Sequence, residues 1–298
     1  MNQRSQKSPH DAVNLTRHHQ IQMVQADGES LARIPIDERT PEVCEIAVRQ
    51  NWRAIHFVPD ELRSERVFEA AVQQDSQALR IVPHNQRTLA ICEKAVGQNG
   101  RLLKEVPSYL ITKRLCIVAV TQNGTALGVV PLTLRDTEIC LIAVQQNGWA
   151  LPDVPLDLRT EQICKIAVSF DGDLLRYVPG RRRTEDVIEA ALRQTGMALR
   201  YVPVRFYTER LCEISVRETG LALQYVPVTL RTEELCRLAV ARSGLALQWV
   251  PSRFRTRVLC EIALAQNRSA RWSVPRHLQE EVRQRLETDF AGTEGPPR

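Results

Sequence analysis

Residues 208–231 read TERLCEISVRETGLALQYVPVTLR, and residues 137–159, TEICLIAVQQNGWALPDVPLDLR, run through nearly the same order of residue types. Each has a threonine, an apolar–Cys step, a small residue followed by valine, a glycine, an Ala-Leu pair and a proline preceded by valine. The pattern continues in both directions. Prolines after valine or isoleucine fall at Pro35, Pro59, Pro83, Pro107, Pro131, Pro155, Pro179, Pro203, Pro227, Pro251 and Pro275, always 24 residues apart. A period held without insertion over this length is the signature of a stacked-repeat architecture rather than of two ordinary domains.

With each proline as position zero, position +5 is Thr, Ser or Asp from Thr40 to Thr256, residues whose side-chain oxygen accepts from the open N–H groups of a new helix. Apolar residues at +8, +9, +11, +12 and +13 make a face wider than the stripe of a surface helix, so each helix needs a neighbour on both flanks. The spacing predicts a three-turn helix over about +6 to +16. A glycine at +17, read as a left-handed C-cap, then closes it. The Ala, Leu and Val at +19, +20 and +23 predict a short second helix, which proline ends. The fold class expected is all-α: a right-handed α-solenoid of about eleven 24-residue repeats, each a three-turn helix plus a short second helix. The expected organisation is a disordered polar N-terminus over 1–15, the solenoid over 16–278 with a capping repeat at 16–34, and a C-terminal capping helix and flexible tail over 279–298. In the capping repeat His19 falls at the buried +8 position.

All eight cysteines, from Cys44 to Cys260, occupy +9, and Phe68 and Ile188 replace them in two repeats that carry Ala70 and Ala190 at +11. That exchange reads as conserved core volume. Equivalent atoms of adjacent repeats lie about 8–10 Å apart, too far for a disulfide or a shared zinc ion, and no C-x-x-C occurs. The thiols therefore read as structural, with no metal and no cofactor, in a cytosolic compartment that keeps them reduced. The histidines show no ligand spacing, and no phosphate loop, nucleophile motif or carboxylate pair stands out, which points away from an enzyme.

Composition adds that no apolar run is long enough to span a membrane. The polar first fifteen residues lack the apolar core of a secretory signal peptide, which leaves a frayed terminus or another export route. A net charge of +5, with 35 of 40 basic residues arginine, permits an acidic partner without demanding one.

Arginine recurs at +4 (Arg39, Arg63, Arg87, Arg135, Arg159, Arg183, Arg231, Arg255), read chiefly as structural and alternatively as an anion-binding stripe. The Gln-Asn pair at +15 and +16 reads as C-capping. Specificity belongs where repeats differ. At +22 four consecutive repeats carry Tyr177, Tyr201, Tyr225 and Trp249, beside Arg176, Arg200, Gln224 and Gln248 at +21. These eight residues are the candidate partner-binding stripe. The first expectation is a non-catalytic scaffold for a protein or peptide. The alternative is a nucleic-acid binder, with the arginine ladder on phosphates and the aromatic row stacking bases.

Written out as T-E-x-L/I-C-x-I-A-V-x-Q-N-G-x-A-L-x-x-V-P-x-x-L-R, the repeat resembles the domain-of-unknown-function repeat family numbered 4116, over about residues 28–278 and best over 137–159 and 208–231. The resemblance implies a bacterial multi-repeat protein, in some members an effector delivered to host cells, and with it either its own or a host cytosol. The period is also similar to that of leucine-rich-variant repeats, which pair an α-helix with a short 3-10 helix. The cysteine and Asn-Gly positions depart from those repeats, so only their architecture carries over.

Overall fold

The computed structural model describes the backbone of residues 9–291 and most side chains from Arg17 to Gln284. The described chain is helical, with no strand, and it divides into two compact halves, residues 1–146 and 147–298. The first half holds α1 (Pro9–Ala26), α2 (Pro41–Gln50), α3 (Glu65–Gln74), α4 (Leu89–Gln98), α5 (Lys113–Gln122) and α6 (Thr137–Gln146). The second holds α7 (Glu161–Phe170), α8 (Glu185–Gln194), α9 (Glu209–Glu218), α10 (Glu233–Arg242), α11 (Arg257–Gln266) and α12 (Arg276–Ala291). Within each half every helix packs on the next in sequence, which makes each an all-α solenoid segment.

The repeat helices start where the threonines put them. The side chain of Thr208 accepts from the backbone N–H of Leu211 at 3.2 Å, and that of Asp136 from Ile139 at 2.9 Å. The Ile139 bond, followed by the Lys113 ammonium at 2.6 Å, holds the Asp136 carboxyl below its ordinary range. The second helix of each repeat is a 3-10 helix, six residues long in most (Gly172–Tyr177, Gly196–Tyr201, Gly220–Tyr225, Gly244–Trp249), and a single 3-10 turn follows most of the prolines. With three residues per turn, +20 and +23 eclipse one another on the inner side, and Leu199 and Val202 are accordingly buried. The core is the stack of +8, +9, +12 and +13 from the α-helices with +19, +20 and +23 from the 3-10 helices, nearly all fully buried.

The glycine at +17 is not left-handed: among the described residues none has a positive φ. The α-helix closes instead onto an extended residue at +16, such as Asn147 at φ −153 and ψ 113. That asparagine caps the following 3-10 helix, its Oδ1 accepting from Trp149 N–H at 2.9 Å. Three repeats carry Trp52, Ser76 or Arg268 at +17, but where glycine stands there a close approach favours it. A Cβ at Gly196 would stand 2.0 Å from the carbonyl oxygen of Ser215, and one at Gly100 2.1 Å from that of Ala119, in each case the +12 residue of the next helix. The same contact explains the small residue at +12. Glutamine at +15 seals the junction: Gln194 Oε1 accepts from Gly172 N–H at 2.7 Å, and Gln266 does the same for Gly244 at 2.6 Å while its Nε2 donates to the Arg242 carbonyl at 3.4 Å. It caps the helix of the preceding repeat rather than its own.

The ends differ from the sequence reading. Residues 9–15, expected to be disordered, belong to α1, because Pro9 is tolerated in a first helical turn and the segment to Ala26 contains no breaker; residues 1–8 lie outside the described chain. His19 is exposed, whereas Gln20, which bonds Glu38 at 2.7 Å, and Val24 are buried. At the other end α12 begins at Arg276, ahead of the expected boundary, and seats Val282 in the core. The tail over 292–298 lies outside the described residues.

Candidate binding surface

All four aromatic residues of the candidate stripe occupy the last position of a six-residue 3-10 helix in the second half. The backbone there is held by the +4 arginines. Arg159 Nε donates to the Val154 carbonyl at 2.9 Å, Nη2 to Pro152 at 3.0 Å and Nη1 to Tyr177 at 2.6 Å. Arg183 and Arg231 make the same three bonds, to Val178, Arg176 and Tyr201, and to Val226, Gln224 and Trp249. Each guanidinium thus ties its own proline turn to the end of the next 3-10 helix. Burial lowers the pKa of Arg159, Arg183 and Arg231 without discharging them, since an arginine starts far above neutrality. Tyr207 replaces arginine in one repeat and donates its hydroxyl to the Leu199 carbonyl at 3.2 Å. The +4 ladder is therefore part of the frame.

That frame leaves the side chains of Tyr177, Tyr201, Tyr225 and Trp249 half-buried, with Arg176, Arg200 and Gln248 exposed and Gln224 half-buried beside them. The guanidinium carbon of Arg176 lies 4.7 Å from the centre of the Tyr177 ring and 5.5 Å from that of Trp149, and its N–H groups also reach the hydroxyl of Tyr201. The Tyr201 hydrogen bond is the main reason its pKa sits above the ordinary arginine value. Arg200 repeats the arrangement one repeat on, 4.7 Å from the Tyr201 ring and in reach of the Tyr225 hydroxyl, with Asp173 at 2.6 Å. Burial opposes its charge, but the Asp173 carboxylate and the two tyrosines outweigh it and its pKa moves up. Cations over ring faces in this geometry attract by about 0.5–1 kcal/mol when exposed. Gln224 and Gln248 instead bond back to the carbonyls of Leu221 and Leu245, each at 3.1 Å. The stripe thus has an arginine-rich part followed by a neutral, aromatic part.

Three further groups in the second half lie outside the eight candidate residues. Val204 and Val228, at +1, are 77% and 60% exposed and follow Tyr201 and Tyr225 by three residues. Trp149, at +18, stacks on Arg176. Trp272, at +21 of the last full repeat, is 80% exposed beneath Arg271 at 4.7 Å. Position +1 is also aliphatic and exposed at Ile36, Leu132 and Leu156, so the sequence pattern alone does not single out Val204 and Val228.

The cysteines are fully buried in both halves, and burial pushes the thiols of Cys92, Cys116, Cys164, Cys212 and Cys236 up to about 11, which keeps them protonated and unreactive near neutrality. Phe68 and Ala70 are both buried, and Ala70 also helps line a surface cavity of about 520 Å³ with Glu45, Arg66, Glu69 and Lys94. The two positions face different sides of the helix. Among the described residues no helix is long and apolar enough to cross a membrane.

The architecture defines the chain as a tandem-repeat α-solenoid protein. Residues 112–159 and 160–207 are each similar to the model of the Domain of unknown function (DUF4116), two adjacent matches in tandem. Each match is two periods long and begins at a helix cap, Thr112 or Thr160. Neither characterised proteins nor solved structures gave a match.

Proposed function

We propose that the protein is a non-catalytic scaffold whose second half binds a protein or peptide partner along the stripe Tyr177, Tyr201, Tyr225 and Trp249, with Arg176, Arg200, Gln224 and Gln248. The observation that carries this reading is that the +4 arginines bond Tyr177, Tyr201 and Trp249 through their backbone carbonyls, which leaves the side chains at these +22 positions free to vary without loss of those bonds. Half-buried aromatic rings beside arginine are the residue types that dominate binding energy at protein interfaces. Exposed Val204 and Val228 extend the surface with apolar area that a partner's side chains would cover.

Two observations weigh against the nucleic-acid reading. The +4 arginines that would follow a phosphate backbone already donate to carbonyls. The ring faces that would stack bases are covered in part by Arg176 and Arg200. A cytosolic setting, in its own cell or in a host that receives it as an effector, suits eight buried thiols.

The test is a selection from a random displayed peptide library on the full chain, with the variant Tyr177→Ala/Tyr201→Ala/Tyr225→Ala/Trp249→Ala as counter-target. Sequences that bind the wild type and not the variant, whose melting stays within a few degrees, are expected. Enriched peptides that bind both proteins equally, or no enrichment at all, would contradict the reading.

A further inference from the structure

Resting on that reading, we propose that the occupant of the stripe is an extended peptide segment with carboxylates three residues apart, followed at the same spacing by apolar side chains. The argument joins charge to pitch. Arg176 and Arg200 hold equivalent positions in successive repeats, and Arg181, Arg182 and Arg205 lie in the turns that follow them. Within this cluster the acid paired with an arginine is Asp173, bonded to Arg200. The excess of positive charge calls for an acidic ligand. Beyond it the +21 residues become Gln224 and Gln248, the rings become Tyr225 and Trp249, and Val228 is exposed, with Arg253 in the last turn stacked 4.6 Å over Phe254, a surface suited to apolar side chains.

Helices packed side by side repeat every 8–10 Å or so. A ligand in polyproline II form advances about 3.1 Å per residue with three residues per turn, so three residues span about 9 Å and end on the same face, which a β-strand with its alternating side chains does not achieve. Every third residue of an extended ligand therefore returns to the same position on the next repeat. Carboxylates at i and i+3 meet Arg176 and Arg200, and apolar residues at i+6 and i+9 meet Tyr225 and Trp249. Helical ligands, at 1.5 Å per residue, need about six residues per repeat and do not keep one face on the row.

The exposed aliphatic row and the arginine-capped rings favour a peptide over single-stranded nucleic acid, which becomes a competing outcome of the test. Fluorescence polarisation of labelled 12-residue peptides on the full chain tests the proposal. One carries Glu at positions 2 and 5 and Leu at 8 and 11, with Ser and Ala elsewhere. An isomer of the same composition sets the two Glu side by side and the two Leu side by side, a third peptide has Lys for Glu, and a 12-nucleotide oligouridylate serves as competitor. The spaced peptide should bind about tenfold tighter than its isomer or the lysine peptide, and weaken as salt rises. Arg176→Gln/Arg200→Gln should lower its affinity about tenfold; this variant copies the residues already present at 224 and 248, so the fold is kept. No binding by the spaced peptide, equal binding by the isomer, an unaffected glutamine variant, or displacement by oligouridylate at lower concentration would overturn the proposal. Library peptides that need the aromatic row but lack spaced carboxylates would sink this inference and leave the partner-binding reading standing. Peptides indifferent to the row would remove both.

Discussion

The two halves of the molecule have the same frame and different edges. In the first half the +22 residues are Phe57, Ile81, Glu105 and Val129, and Glu105 is engaged by Arg80 at 3.5 Å. In the second, between Asp153 and Ser273, they are the aromatic residues Tyr177, Tyr201, Tyr225 and Trp249, and the arginines beside the first two lie over their rings. The bonds beneath are alike: Arg87 reaches the carbonyls of Val82 and Glu105 much as Arg183 reaches those of Val178 and Tyr201. A repeat protein can keep its stability in backbone-directed contacts and reserve one edge for change. The difference between the edges is therefore where function is to be sought.

The comparison breaks most readily at the glycine step. Gly100→Ala in the first half and Gly196→Ala in the second should each cost about 3 kcal/mol, because the new methyl meets a backbone carbonyl that cannot rotate away. Gly180→Ala, with nothing within 4 Å, should change stability by less than about 1 kcal/mol. Chemical denaturation measures all three. Equal effects at Gly180 and Gly196 would mean that close approach is not what selects glycine at +17.

Removing a +4 arginine comes next. Arg87→Met and Arg231→Met should each lose about 2–3 kcal/mol, because buried carbonyls lose charge-assisted partners. Lysine should recover less than half of that, since a point charge cannot reach three carbonyls in different directions. Full rescue by Arg231→Lys would show that charge rather than the guanidinium fork matters.

The thiols give a smaller, pH-dependent effect shared by both halves. A folded-state pKa near 11 lies above the unfolded value of 9.0, so the folded chain keeps protons that the unfolded chain gives up. Stability should then fall as pH rises from about 9 towards 11. Replacing all eight cysteines with Ala or Val should flatten that part of the melting curve, and an unchanged alkaline slope would assign it to other groups. The smallest effect on stability belongs to the edges. Glu105→Ala and Tyr201→Ala should each cost below about 1 kcal/mol, while only Tyr201→Ala weakens binding of a selected peptide.

Much of the fold was legible because period, caps and prolines depend on local chemistry. Thr40, Thr88 and Thr208 start helices as their type demands, and the Val-Pro steps end them. What was not legible depends on neighbours one repeat away. Gly196 looks like a left-handed cap until the Ser215 carbonyl is placed against it, and Gln194 looks like a cap of its own helix until it is found bonded to Gly172. The aromatic row could be read from its variability, but the arrangement of Arg176 over Tyr177 and towards Tyr201 needed coordinates, since residues 24 apart in sequence become neighbours only in the stack.

Amide hydrogen exchange, with and without a library-selected peptide, tests the role of the second-half edge most directly. If that edge is the binding surface, protection rises around residues 176–182, 200–206, 224–230 and 248–254 and stays flat at the matching turns 80–86 and 104–110. Protection of the first-half turns, or of the α-helices α7 to α10 with the turns unchanged, would contradict it.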